Sequence, residues 1–185
     1  VDEGDPYSEL LVNKSINSNK SRNIFGKVEQ KTVPGSADGY KILEISVEEK
    51  ATGELMAGAG VGTDGTSFQF SVSENNWLGR GVNLNSTFML SATKVTGQIK
   101  IINPNYNFSG NAVSTSLEVS SSDRTGTSGY KSDRSGISLG TSFEQYEDIY
   151  FSPEIFVARE TIEAEGSASK NIQKMDGSYF NTDLQ

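Results

Sequence analysis

Beyond residue 52 the chain repeats one rhythm: an apolar row alternates with a small or polar row, segment after segment, with no helical stretch between. A side-chain period of two is the mark of a strand with two unlike faces. Phe68, Phe70 and Val72 alternate with Ser67, Gln69, Ser71 and Ser73. Val82, Leu84, Phe88 and Leu90 alternate with Asn83, Asn85 and Thr87, and Val113, Leu117 and Val119 with Ser114, Ser116, Glu118 and Ser120. The rhythm predicts strands over Leu55–Gly62, Thr66–Asn75, Val82–Ala92, Val95–Asn103, Ala112–Ser122, Gly136–Phe143 and Ile149–Thr161. Most of these lengths suit antiparallel strands that cross a bilayer at a tilt, for which about 9–11 residues are needed. In a soluble sandwich the polar rows face water; in a membrane barrel they face a wet lumen and the apolar rows face lipid.

Composition narrows the function. There is no cysteine and no histidine among the 185 residues, so no disulfide framework, thiolate nucleophile, zinc–thiolate site or imidazole base is available. The expectation is a non-enzyme without cofactor or metal. Glu48-Glu49 and Glu147-Asp148 are acidic pairs without a third ligand at useful spacing, and they read as solvated surface. A net charge of −8 argues against nucleic acid. No apolar run approaches the ~20 residues of a membrane-crossing helix, a test that a β-barrel evades because only alternate residues face lipid.

The connections between strands number seven. The odd ones centre on Thr63-Asp64-Gly65, Thr93-Lys94, 123–134 and 163–177, the even ones on Asn76–Gly81, Pro104–Asn111 and Glu144–Asp148. In an up-and-down barrel these sets lie at opposite ends. The two longest are odd, so the odd end reads as external and the even end as periplasmic. Trp77, Tyr106, Phe108, Tyr146 and Tyr150 then cluster at the periplasmic end, where an aromatic girdle belongs; aromatics that cap a soluble sandwich are the plainer alternative. Pro153 falls inside the seventh strand, where a bulge would accommodate it. Arg159 shares a row with Ile155 and Val157 and is expected near the external headgroups.

Residues 1–52 differ. Asp5-Pro6 resembles a helix N-cap followed by proline at the first helical position, with Tyr7, Leu10 and Leu11 on one face. A strand at 24–30, a turn at Pro34–Gly39 and a strand at Tyr40–Glu49 follow, which suggests a small α+β module. The first residues are polar and acidic, and the last stop just after Tyr179-Phe180, which reads as a piece of a longer protein.

Particular residues add to the periodicity. Val47–Glu54 followed by Gly58–Gly65, then Phe68-Gln69, then Asn75-Asn76-Trp77-Leu78-Gly79-Arg80-Gly81, then Asn103-Pro104-Asn105-Tyr106, occur in that order along nearly the whole chain. This series resembles the junction of the last POTRA domain with the barrel in BamA-type outer-membrane assembly factors, and the strands and periplasmic turns that follow it. The resemblance implies a mostly β fold: residues 1–52 as the C-terminal part of that POTRA domain, lying in the periplasm, and residues 53–185 as the first seven or so strands of a transmembrane up-and-down barrel. The closing strand, lid loop and earlier POTRA domains of the family are then outside this chain.

Family members fold and insert β-barrel proteins into the bacterial outer membrane. The partners so implied are unfolded barrel clients, accessory assembly lipoproteins at the POTRA module, and outer-membrane lipid. Unpaired strand edges are costly in hydrocarbon, and an openable seam can lend its own edge to an incoming strand. The implied gate strand is Leu55, Met56, Ala57, Gly58, Ala59, Gly60, Val61 and Gly62, whose glycines weaken cross-strand packing. The same glycines would also serve to relieve crowding on the lumen side or to let the strand bend. Trp77, Leu78, Gly79, Pro104 and Tyr106 shape the periplasmic turns and anchor the barrel. A two-partner-secretion transporter, which also joins POTRA modules to a barrel, and a soluble β-sandwich adhesin are the alternatives.

Overall fold

The computed structural model describes residues 4–62 and 65–184, so Thr63 and Asp64, expected in the first odd connection, lie outside the described residues. The chain divides into two compact units, Val1–Gly53 and Glu54–Gln185.

The first unit is one helix on a hairpin. Helix α1 spans Glu9–Ser21, and its N-cap is Ser8, whose hydroxyl accepts the Leu11 N–H at 3.5 Å. The Asp5-Pro6 cap expected from sequence is therefore displaced by three residues. Strands β1, Phe25–Pro34, and β2, Lys41–Glu49, pair antiparallel, with Val28 opposite Val47 and Pro34 opposite Lys41. Proline at the last position of β1 ends the strand without removing an interior ladder bond. The helix buries Val12 and Ile16, one turn apart, against Val28, with Phe25 and Leu43 packed around them. Tyr7, Leu10 and Leu11, expected on one helical face, are exposed. Leu10 and Leu11 flank the Val12/Ile16 stripe rather than lying on it, since i and i+4 define one face. Tyr7 precedes the helix and its ring stacks under the Lys41 ammonium at 4.0 Å.

The second unit is a nine-stranded antiparallel meander. Its strands are β3 (Gly53–Gly62), β4 (Gly65–Trp77), β5 (Val82–Ser91), β6 (Lys94–Asn103), β7 (Ala112–Asp123), β8 (Tyr130–Tyr146), β9 (Ile149–Phe151), β10 (Glu154–Ala164) and β11 (Gly177–Leu184). They lie in the order β3-β4-β5-β6-β7-β8-β10-β11, with β9 also paired to β8. Sequence suggests seven strands, and the difference has two causes. Pro153 divides one crossing into β9 and β10. Its carbonyl still accepts the Thr141 N–H at 3.1 Å, so the ladder with β8 resumes at once. The second cause is β11, which pairs with β10 from Ile162↔Gly177 to Ile155↔Leu184.

The two long odd connections are shorter than composition suggests. Strand β8 begins at Tyr130, and Lys131 to Arg134 pair with Asp123 to Ser120, leaving a connection that holds one helical turn, α2 (Thr125–Ser128). The other long connection holds the turn α3 (Lys170–Gln173). Runs of Ser, Asp, Lys and Arg read as loop by composition, but a ladder needs only backbone donors and acceptors, so these strands continue past their apolar band.

Register aligns the apolar residues into bands. Phe70 faces Phe88, Ile99 faces Leu117, Leu117 faces Ile137, and Ile137 faces Val157. This band is the open face of the sheet: Leu117 is 55% and Leu139 62% exposed. The small polar row is the shielded one. Ser138 is 1% and Ser116 6% exposed, and their hydroxyls bond at 2.7 Å. In a water-soluble sandwich the apolar band would be covered by a second layer. Among the described residues of this unit no second sheet covers it.

Candidate gate edge and interfacial turns

Among the described residues strand β3 ends the sheet and pairs only with β4. All ten of its residues are exposed, including Leu55, Met56 and Val61. Gly58, Gly60 and Gly62 could each be replaced without a clash: an added Cβ meets nothing within 4 Å at Gly58 and Gly62, and only the Ser67 hydroxyl at 3.6 Å at Gly60. None of the three has a positive φ. Relief of crowding therefore does not explain them among the described residues, and neither does a left-handed backbone. What they do is withhold side chains. A hollow of about 410 Å³ opens beside them on the polar face, lined by Met56, Gly58, Gly60, Ser67, Gln69 and Met89. The Ser67 hydroxyl reaches the Gly60 carbonyl at 3.5 Å, a long bond. Cross-strand side-chain pairs contribute roughly 0.2–1 kcal/mol each, and this edge forgoes several of them.

The expected interfacial anchors sit in two turns with one design. In the first, between β4 and β5, the Asn76 side-chain oxygen accepts the Gly81 N–H at 2.7 Å, and the Asn76 carbonyl accepts the Gly79 N–H at 2.9 Å. In the second, between β6 and β7, the Asn105 side-chain oxygen accepts the Gly110 N–H at 2.8 Å, and its carbonyl accepts the Phe108 N–H at 3.3 Å. Each turn places an aromatic residue directly after the asparagine, Trp77 or Tyr106. Each then has three residues at positive φ, Leu78, Gly79 and Gly81 in one, Asn107, Phe108 and Gly110 in the other. An asparagine side chain that holds a nearby backbone N–H makes such turns self-contained. Leu78 and Phe108 are held out from the protein at left-handed φ values of 57°, and Phe108 is 93% exposed. Pro104 opens the second turn, after Asn103 and ahead of the single 3-10 turn Tyr106–Phe108.

Trp77 reaches its place by a break in register. Phe68, Phe70 and Val72 define the apolar row of β4 at even positions, so simple alternation would put Trp77 on the polar face. Glu74 faces Leu84, but Trp77 faces Val82, so one extra residue is inserted between them. A one-residue bulge exchanges the two faces. Trp77 consequently joins Val82 and Leu84 on the apolar side. Deletion of Asn75 removes the extra residue and leaves Trp77 two positions after Glu74, so Trp77 is expected to stay opposite Val82 on the apolar side. In lipid vesicles its emission, taken as the difference from the Trp77→Phe protein, then keeps the parent's wavelength, and a move to longer wavelength would show that the inserted residue does not set the face.

Arg159 lies on the apolar row as expected, opposite Ser135 on one side and Phe180 on the other, toward the ends of the strands that carry α2 and α3. Sequence reading missed two features. One is the shared asparagine device of the turns, visible as Asn-aromatic with Gly five residues after Asn. The other is the bulge, signalled by Trp77 at the wrong parity. Glu144–Asp148, the third even connection, closes differently, with the Glu144 carboxylate accepting the Asp148 N–H at 2.9 Å. No group of three or more His, Cys, Asp or Glu side chains among the described residues is placed to hold a metal ion.

No protein-family model matches the chain. Among solved structures it is similar to the crystal structure of BamA from Haemophilus ducreyi lacking POTRA domains 1–3, with a TM-score of 0.72 and 17% sequence identity. The similarity covers 100% of this chain and 38% of that one. The chain thus has, over its whole length, the fold of a little more than a third of that shortened BamA chain, in keeping with the resemblance carried by its junction and turn residues.

Proposed function

We propose that this chain is part of an outer-membrane assembly factor that folds and inserts β-barrel proteins into the bacterial outer membrane. In this reading residues 54–184 supply the first strands of a transmembrane barrel. Residues 1–52 are the C-terminal part of a POTRA domain in the periplasm, where accessory lipoproteins dock. Strand β3 is the lateral-gate edge that pairs with incoming client strands. The observation that carries the membrane assignment is the inverted burial of the sheet, with apolar bands bare and small polar rows shielded, since lipid is the solvent that such bands require. Support for the gate is the edge position of β3 together with glycines that neither sterics nor φ demands. The fold likeness to BamA supports the class of activity.

The test is a disulfide. Gly60→Cys, paired with a cysteine on the strand that closes the barrel in the intact protein, is expected to abolish client assembly when oxidised and to restore it on reduction, read as heat-modifiable client in vesicles. Full assembly by the oxidised protein would rule out the gate.

A further inference from the structure

The two asparagine turns do more than close hairpins. Between them, on the apolar face, lies an open hollow of about 310 Å³. Trp77 and Leu78 form one side and Tyr106 the other, with Val82, Ile101 and Val113 as the floor. That volume is at the lower end of the ~300–1,000 Å³ of small-molecule sites. Its one charged lining residue is Arg80. The guanidinium of Arg80 makes no ion pair and no hydrogen bond with any described residue. No carboxylate lines the hollow. Asn103 stands beside it as a second donor, because its side-chain oxygen already accepts the Asn105 N–H at 3.1 Å and its amide N–H₂ group remains.

An apolar trough with a bare cation at its rim matches a molecule with an acyl chain and an anionic head. We propose that the hollow holds one anionic glycerophospholipid, its acyl chain over Val82 and Ile101 and its phosphate on the Arg80 guanidinium. Guanidinium suits this role because it presents paired N–H donors to phosphate oxygens. Flanking Trp and Tyr rings, apolar in body and polar at the tip, suit the glycerol level of a bilayer. The assignment rests on the reading of this unit as a membrane barrel whose short-turn end faces the periplasm. That orientation puts the hollow in the phospholipid leaflet rather than the lipopolysaccharide leaflet.

The experiment uses the intact protein in phosphatidylethanolamine vesicles that contain either dibrominated phosphatidylglycerol or dibrominated phosphatidylcholine. Bromine quenches tryptophan on contact, and the Trp77 signal is isolated by subtracting the Trp77→Phe protein. Half-quenching is expected at about fivefold lower mole fraction of the phosphatidylglycerol, the preference that one cationic side chain near a membrane surface gives. Arg80→Gln should erase the preference and Arg80→Lys should keep much of it, while both remain quenched. Equal quenching of the natural protein by the two lipids would overturn the site and leave the membrane assignment standing. A preference that survives in Arg80→Gln would overturn it as well, and so would displacement of the bromolipid by lipopolysaccharide but not by unlabelled phosphatidylglycerol. Absence of quenching by either lipid would sink the site and the membrane assignment together.

Discussion

Ile99→Arg is expected to lower the stability of the intact protein in lipid vesicles by about 2–4 kcal/mol, the cost of an arginine at the bilayer midplane of a β-barrel. Its neighbour on the same strand, Gln98→Arg, is expected to stay within about 0.5 kcal/mol of the parent. The pair is informative because only side-chain parity separates the two positions. Both are central in β6 (Lys94–Asn103), and both are exposed. Ile99 lies in the apolar band, between Ser86 on β5 and Leu117 on β7. Gln98 lies on the opposite face, between Thr87 and Glu118. In water, placing a charge at an already exposed isoleucine costs almost nothing, so a soluble protein would tolerate both changes. Denaturant unfolding in vesicles, followed by intrinsic fluorescence and by heat-modifiability, measures the difference. Equal tolerance of the two arginines would remove the lipid-facing assignment of the band.

Gly129→Ala is the second change with a large expected effect, about 2–4 kcal/mol. It combines roughly 1–2 kcal/mol for a left-handed alanine with the cost of displacing backbone. Gly129 closes α2 at φ +72°, its N–H bonding back to the Arg124 and Thr125 carbonyls. Its own carbonyl accepts the Glu165 N–H at 2.8 Å, which ties the β7–β8 connection to the β10–β11 connection. An added Cβ would stand 2.6 Å from the Ser167 hydroxyl and 2.7 Å from the Ala168 nitrogen. The hydroxyl can rotate away; the backbone nitrogen cannot. Gly126→Ala is the control within the same turn. It meets nothing within 4 Å and has no positive φ, so it is expected to be neutral within about 0.5 kcal/mol. Denaturant midpoints of the two variants, with limited proteolysis across the stretch after Ala164, separate a local release of the loops from a global loss. A Gly129→Ala protein as stable and as protease-resistant as the parent would show that this contact does not hold the loops.

How much of this was legible in the sequence depends on what each feature needs. The central strands were, because Phe68/Phe70/Val72 and Val113/Leu117/Val119 keep period two over enough residues to exclude a helix. Strand ends were not. Lys131 to Arg134 extend a ladder through backbone bonds alone, and Ser, Asp, Lys and Arg look the same whether they lie in a polar strand extension or in a loop. The buried face of the helix was not legible, because two leucines outweigh a valine and an isoleucine in any hydrophobic count, while the sheet selects the stripe that reaches Val28. Of the candidate site, the edge strand and the turns were legible as positions. Their geometry was not: the hollow between Trp77 and Tyr106 depends on a one-residue insertion in β4, and alternation carries no count of insertions.

The twin turns also bear on how such a sheet is assembled in time. Each is closed by an asparagine that reaches only five residues ahead. Closing so short a segment loses little chain entropy and depends on no distant partner. A chain whose successive strands pair with their sequence neighbours is rich in nearby contacts, the arrangement associated with faster folding among β topologies. The hairpins β4–β5 and β6–β7 therefore come with their own starting points, and β5 and β6, the two strands between the turns, can each zip from its own turn.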